Sequence, residues 1–172
     1  MTWEELYIEY SDRVHNFILL MVGNEETAED LTHDTFLKVK RTIDNFRGES
    51  SYYTWIISIA RNVVYDYWRR RRKIRFFPLK ETHPLKDMET PDEIFQKGEV
   101  VRELYEGIKK LKVSYQEVLI LRKIQELSVE ETSEVLGWSV SKVKSTTMRA
   151  MQALKQEMNV IRKEDDQYEK RS

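Results

Sequence analysis

The side chains of this sequence that could do chemistry are a few histidines and carboxylates, a dense block of arginine and a cluster of aromatic rings, and they point in different directions. The histidines are His15, His33 and His83. In the segment EDLTHD, Asp30, His33 and Asp34 recur at helical steps, a spacing compatible with holding a metal ion. No further ligand accompanies them, so a polar interaction face is the simpler reading. Cysteine is absent, which removes disulfides, thiol catalysis and cysteine zinc sites. Neither a Gly-rich phosphate loop nor a nucleophile motif occurs. The residues thus argue against an enzyme and imply no metal and no cofactor.

The rings and cations lie together in SYYTWIISIARNVVYDYWRRRRKIR, Ser51 to Arg75. Arg61, Arg69, Arg70, Arg71, Arg72, Lys73 and Arg75 are countered there only by Asp66, in a chain whose net charge is -1. Upstream of the block, Tyr52, Tyr53, Trp55, Tyr65, Tyr67 and Trp68 cannot all lie on one helix face, so some are expected to be exposed. Exposed rings beside arginines hold unstacked nucleic-acid bases, at roughly 1–3 kcal/mol per stacked base. Two alternatives compete with this. Cations also favour the C-terminal end of a helix dipole and remain solvated there. A basic amphipathic helix can lie on an anionic membrane, although Asn62 and Asp66 interrupt its polar face.

The elements that must position these residues are helical. With 40% hydrophobic and 34% charged residues but only 5 Gly and 3 Pro, the 172-residue chain is too poor in turn formers for a sheet-rich fold. No opening signal sequence is visible, and no apolar run approaches the roughly 18 residues of a membrane span. The cytoplasm is the expected compartment. Trp3, Leu6, Tyr7, Tyr10, Val14, Phe17, Ile18 and Met21 trace a first helix, closed by Gly23. Asn24 caps a second, whose inward stripe is Ala28, Leu31, Thr35, Val39 and Ile43, leaving Asp30, His33, Asp34, Leu37 and Lys38 elsewhere on its circumference. DNFRGESS reads as a loop, and Trp55, Ile56, Ile59, Val63, Tyr67 and Ile74 form the stripe of a third helix.

After Arg75, FFPLKETHPLKDMETPDEIF holds every proline and no steady period. It reads as a flexible acidic linker, and about twenty extended residues would reach on the order of 60 Å. Three capping boxes follow: Thr90 to Glu93, Ser114 to Glu117 and Ser128 to Glu131. In SVEETSEVLGWSVSKVKSTTMRAMQALK, a short helix, a turn at Gly137 and a longer helix have helix-turn-helix spacing. Its second helix would turn Val143 and Met151 inward and offer Lys142, Lys144, Ser145, Thr146, Met148 and Arg149 to phosphates and base edges. A helical hairpin with a merely solvated polar face is the alternative. Thr132 and Ser133 stand where many such motifs carry an aliphatic residue and alanine. The expected architecture is therefore all-α, with two small helical domains at 1–75 and 96–163, a linker at 76–95 and a tail without structure at 164–172.

Three segments, AEDLTHDTFLKVKR, FRGESSYYTWIISIARNVVYDYWRRRRK and SVEETSEVLGWSVSKVKSTTMRAMQALK, resemble in order and spacing the sigma-70 family of bacterial RNA polymerase initiation factors, specifically its extracytoplasmic-function group. The resemblance runs from about Leu6 to Lys155. It implies a first domain that binds the beta-prime clamp of core polymerase and opens the promoter -10 element, and a second that works beside the beta subunit on the -35 element. On matching positions, Asp30, His33, Asp34, Leu37 and Lys38 fall on the clamp-binding face. Phe46, Arg47, Ser50, Tyr52 and Tyr53 fall where an extruded base is captured, with Trp55 in the support beneath. Arg61, Asn62, Asp66, Arg69 and Arg70 fall at the upstream edge of the -10 element. Lys144, Ser145, Met148 and Arg149 fall on the -35 helix, with Lys142 and Thr146 beside them. The resemblance also implies an anti-sigma factor, often membrane-bound, and an acidic linker directed at the polymerase cleft. A free-standing helix-turn-helix regulator of duplex operators is the competing reading, and a metal-dependent nuclease using Asp30 and His33 a distant third.

Overall fold

The computed structural model describes residues 1–75 and 91–169, and every regular element among them is helical. The first domain is three helices, α1 (Trp3–Val22), α2 (Glu25–Thr42) and α3 (Tyr52–Arg75). The local chemistry explains their ends. Thr2 and Glu5 form a reciprocal capping box at the start of α1, and Gly23, at φ 70°, closes it with its N–H on the Leu19 carbonyl at 2.8 Å. Asn24 then caps α2 by accepting from the Thr27 amide at 2.8 Å. Ser51 accepts from the Thr54 amide at 3.1 Å at the head of α3. The three helices pack around Leu6, Val14, Phe17, Ile18, Phe36, Ile56 and Ile57, all 2% exposed or less. Each such side chain contributes roughly 1.5–3 kcal/mol by leaving water.

The second domain is α4 (Asp92–Gln96), α5 (Glu99–Lys109), α6 (Val113–Leu119) with a π-helical turn over Ile120–Ile124, α7 (Val129–Leu136) and α8 (Val140–Glu169). Helix α8 is its spine, packed on by α5, α6 and α7. Its buried stripe is Val143, Thr146, Ala150 and Leu154, steps of three and four that keep one side of the helix against the core. Ser128 and Glu131 form the expected capping box on α7, and Gly137 ends that helix at φ 65°. The two domains touch along α3, whose flank lies against α7.

Several expectations meet a different arrangement. The Ser114 box does not form: α6 starts at Val113 after Lys112, and Glu117 is engaged elsewhere. Helix α4 starts at Asp92, inside the span assigned to the linker, while residues 76–90, Thr90 and His83 among them, lie outside the described residues. The tail is helical as far as Glu169, held to α5 by an Arg162–Glu103 ion pair at 3.7 Å. Met151 is 43% exposed, because the inward stripe of α8 passes through Ala150 instead.

Candidate nucleic-acid interface

Asp30, His33, Asp34, Leu37 and Lys38 are all exposed along one side of α2, as their three- and four-residue steps require. Leu37, 38% exposed, is the apolar member of an otherwise charged stripe. Among the described residues, no group of three or more His, Asp or Glu side chains is arranged to hold a metal ion.

Packing of α2 beside α3 joins this stripe to the arginine block. Lys38 Nζ lies 3.5 Å from Asp66, which also accepts from Arg69. The result is an open groove of about 620 Å³ lined by Asp34, Leu37 and Lys38 from one helix and Asp66, Arg69 and Arg70 from the other, with Arg41, Val63 and Lys73 completing it. Slight burial acts to raise the Asp66 carboxyl, but Arg69 and Lys38 outweigh it and hold the group below its usual range. Asp66 therefore stays charged and spaces the cations around it. Arg41 was not singled out from the sequence, and Lys73 only as a member of the basic block; each lies one helical turn beyond a residue assigned to the groove's walls, which is the signal that could have found them.

At the head of α3 the rings are not equivalent. Phe46, reached through the loop after α2, stacks on Tyr52 with centroids 4.4 Å apart and lies 5.0 Å from Trp55. Tyr52 and Trp55 are half-buried, Ser50 also, and Arg47 is exposed. Tyr53 is buried at 6% exposure. The Arg13 guanidinium sits 3.7 Å above its ring, Tyr10 lies 5.5 Å away, and its hydroxyl donates to the Gln125 side chain of the second domain. Burial pushes its phenol up to about 12, with Arg13 pulling the other way.

Farther along α3, Arg61 is half-buried and donates from Nε to Glu117 Oε1 at 2.7 Å, while the Tyr65 hydroxyl donates to the other carboxylate oxygen at 2.9 Å. Burial alone would depress the Arg61 guanidinium; its bonds to Glu117 and its contact with Tyr65 more than reverse this. Asn62, Arg69 and Arg70 are exposed. None of the six rings of α3 is fully exposed, contrary to expectation. A single helical stripe covers one face, whereas α3 is covered by α1 and α2 on one side and by the second domain on another.

On α8, Lys142, Lys144, Met148 and Arg149 are exposed, and Met148 is 63% so. Lys142 rests on the Trp138 ring at 4.3 Å, and its amide is capped by Ser139 at 3.1 Å. Ser145 is half-buried. Thr146 is buried at 7%, on the stripe that holds α8 to its domain, and is not presented for base contact in this structure. Of the departures at Thr132 and Ser133, the second has an account. Ser133 donates to the Trp138 carbonyl and so tightens the turn. Thr132 is fully buried, with no hydrogen bond to its hydroxyl.

Comparison with known proteins converges with this geometry. Residues 6–74, spanning most of α1 through α3, match Sigma-70 region 2, and residues 102–154, from α5 into α8, match Sigma-70, region 4. The chain is 37% identical over 164 residues to RNA polymerase sigma factor YlaC of Bacillus subtilis, covering 94% of this chain and 95% of that protein. It is 35% identical over 168 residues to the ECF RNA polymerase sigma factor SigX of the same bacterium, covering 95% and 87%. Its fold is similar to that of the sigma factor RpoE crystallised with the anti-sigma factor NepR from Bartonella quintana, with TM-score 0.73, 20% identity, and 91% and 96% of the two chains covered. CnrH, solved with the cytosolic domain of CnrY, gives TM-score 0.68 at 21% identity, over 92% and 88%. The chain belongs to the sigma-70 family of RNA polymerase sigma factors, in its extracytoplasmic-function group, and acts in transcription initiation by directing RNA polymerase.

Proposed function

We propose that the two faces of the first domain divide the work of initiation. The exposed stripe of α2, Asp30, His33, Asp34, Leu37 and Lys38, docks on the beta-prime clamp of core polymerase. Arg61, Asn62, Asp66, Arg69 and Arg70 follow the phosphates and upstream edge of the -10 element, and Phe46, Arg47, Ser50, Tyr52 and Tyr53 receive an extruded base. The second domain, beside the beta subunit, lays α8 in the major groove of the -35 element, where Lys144 and Arg149 suit guanine acceptors and Met148 a thymine methyl. Lys142 suits a phosphate and Ser145 either edge.

The observation that carries this reading is the groove between α2 and α3. It brings Lys38 and Asp66 within 3.5 Å, so a polymerase docked on one wall and a DNA strand held on the other would be continuous. The chain carries out no bond-making of its own in this scheme. Rings and cations bind the unstacked strand better than the duplex, and each captured base offsets a few kcal/mol of strand separation. Phosphoryl transfer belongs to the polymerase.

The structural relatives RpoE and CnrH are each seen with a bound partner, an anti-sigma factor and the cytosolic domain of CnrY. A partner of that kind for this chain, membrane-tethered on the cytoplasmic side, fits the same reading. Among the described residues, no helix is long and apolar enough to cross a membrane. The free-standing operator-binding regulator is not favoured, since the family match extends over both domains.

The test is reconstitution. The purified chain is added to core RNA polymerase on linear DNA, and promoter-specific transcripts are expected. No stimulation over a range of candidate promoters, with tight operator binding by the free chain, would overturn the proposal.

A further inference from the structure

The contact between the two domains has a chemical direction. From the first domain, Arg13, Tyr53, Thr54, Arg61 and Tyr65 all donate; from the second, Gln125, Glu131 and Glu117 all accept. Glu117 binds Arg61 and Tyr65, and its side chain is only 3% exposed. Gln125, 4% exposed, accepts from Tyr53 through its side chain and from Arg13 through its carbonyl at 3.0 Å. Glu131 accepts from Thr54 at 3.0 Å, with the Ser51 hydroxyl 3.4 Å away. A carboxylate on an arginine and amide or backbone oxygens on a phenol and a guanidinium are the kind of acceptors a nucleic-acid strand presents in its phosphates and bases.

We infer that Glu117, Gln125 and Glu131 form an intramolecular mimic of a nucleic-acid strand, which occupies the donor face of α3 and masks Tyr53 and Arg61 in the free protein. This rests on the proposed role of α3 in holding the -10 strand. The masking is selective. The stripe of α2 and the residues Lys144, Met148 and Arg149 of α8 remain exposed while the two domains are joined. A chain in this state can meet polymerase and duplex DNA but keeps Tyr53 and Arg61 from a single strand. Separation of the domains frees the donor face, so strand capture follows assembly.

The chain has no cysteine, which permits a direct distance measurement. Glu9→Cys on α1 and Gln156→Cys on α8, both exposed, are labelled with a donor and an acceptor dye in the full chain. Energy transfer is compared among the parent, Glu117→Gln, Glu117→Arg and the exchanged pair Arg61→Glu with Glu117→Arg, each checked by circular dichroism for unchanged helix content. Transfer is expected to fall in Glu117→Gln and further in Glu117→Arg, and to recover in the exchanged pair. Anisotropy of a labelled single-stranded oligonucleotide should show Glu117→Gln binding about tenfold tighter than the parent, as expected when a binding-competent state rises from about a tenth to nearly all of the population. Glu130→Gln, an exposed control for the lost charge, should change binding by less than about twofold.

Unchanged transfer in folded Glu117→Arg, or lost transfer without tighter strand binding in Glu117→Gln, would overturn the inference. Transcription with core polymerase separates this from the functional reading. If the variants open and bind the strand but no chain supports transcription, the initiation role falls and the mimic stands. If the parent supports transcription while Glu117→Arg stays closed, the mimic alone falls.

Discussion

Helices α3 and α8 both carry residues suited to promoter DNA, yet the molecule presents them in opposite ways. On α8 the cations and Met148 stand in solvent, with only Thr146 turned inward. On α3, Tyr53 and Arg61 lie under the second domain, while Asn62, Arg69 and Arg70 are exposed on the outer side. The difference follows from what each surface would bind. Reading a duplex needs solvated cations and polar groups, which can face water at little cost. Holding an unstacked strand needs rings, and each tyrosine left bare exposes on the order of 150–250 Å². The surface suited to a single strand is thus the one that gains most from a cover.

The largest effect that can break this comparison is on stability. Tyr53→Ala should lower the unfolding free energy by about 3 kcal/mol, since it empties a buried site beneath Arg13 and Gln125, whereas half-buried Tyr52→Ala should cost about 1 kcal/mol. Urea denaturation measures both. In transcription, both substitutions should impair duplex promoters more than pre-melted ones; equal loss on the two templates would remove strand capture from α3. The next effect is confined to α8. Arg149→Ala should cost about 1–3 kcal/mol at promoters with the matching -35 base and leave the melting temperature within error, because the side chain is exposed. A comparable loss on every promoter would make Arg149 a phosphate contact.

How much of this was legible in the sequence depended on whether a signal was local. The caps at Asn24, Gly23 and Gly137 and the box at Ser128 are written in adjacent residues, and each forms as read. The stripe of α2 was legible because a single periodicity settles which side faces out. Tyr53, Thr146 and Ser114 were not. Tyr53 is covered by residues 72 positions away, which no window along the chain contains. Thr146 and Met151 exchange roles because a shift of one residue, about 100° around a helix, decides burial. Ser114 had the composition of a cap, but the Glu117 that would have completed its box is used 56 residues away on Arg61. The groove between α2 and α3 was half-legible: its two walls were separately assigned, and their meeting is tertiary.

A smaller prediction concerns the bare side of the comparison. Thr132 is buried with an unsatisfied hydroxyl inside the helix-turn-helix. Thr132→Val keeps the shape and removes that hydroxyl, so the chain should gain about 1 kcal/mol. A rise in melting temperature with unchanged promoter choice is expected. Destabilisation would mean that the hydroxyl is satisfied by water in solution.

The smallest effect belongs to Glu131, which serves both regions at once. Its carboxyl is held below the usual 4.5 first by the Ser128 amide, and then by the Thr54, Ser128 and Ser51 hydroxyls, which together outweigh burial. A carboxyl with a lowered native value binds its proton more readily in the unfolded chain. Its contribution is therefore fully present above pH 4.5 and is lost as the pH falls through the lowered native value. The melting-temperature gap between the parent and Glu131→Gln should be widest near neutrality, worth about 0.5 kcal/mol, and close as the pH falls through the lowered native value. Part of that gap comes from Ser128 within α7 and part from Thr54 across the domain contact. In a Glu117→Arg background the second part should vanish if the domains separate, leaving a narrower gap at neutrality. An unaltered gap would show that Thr54 and Glu131 stay together without Glu117, and that the cover over α3 is held from the α7 side.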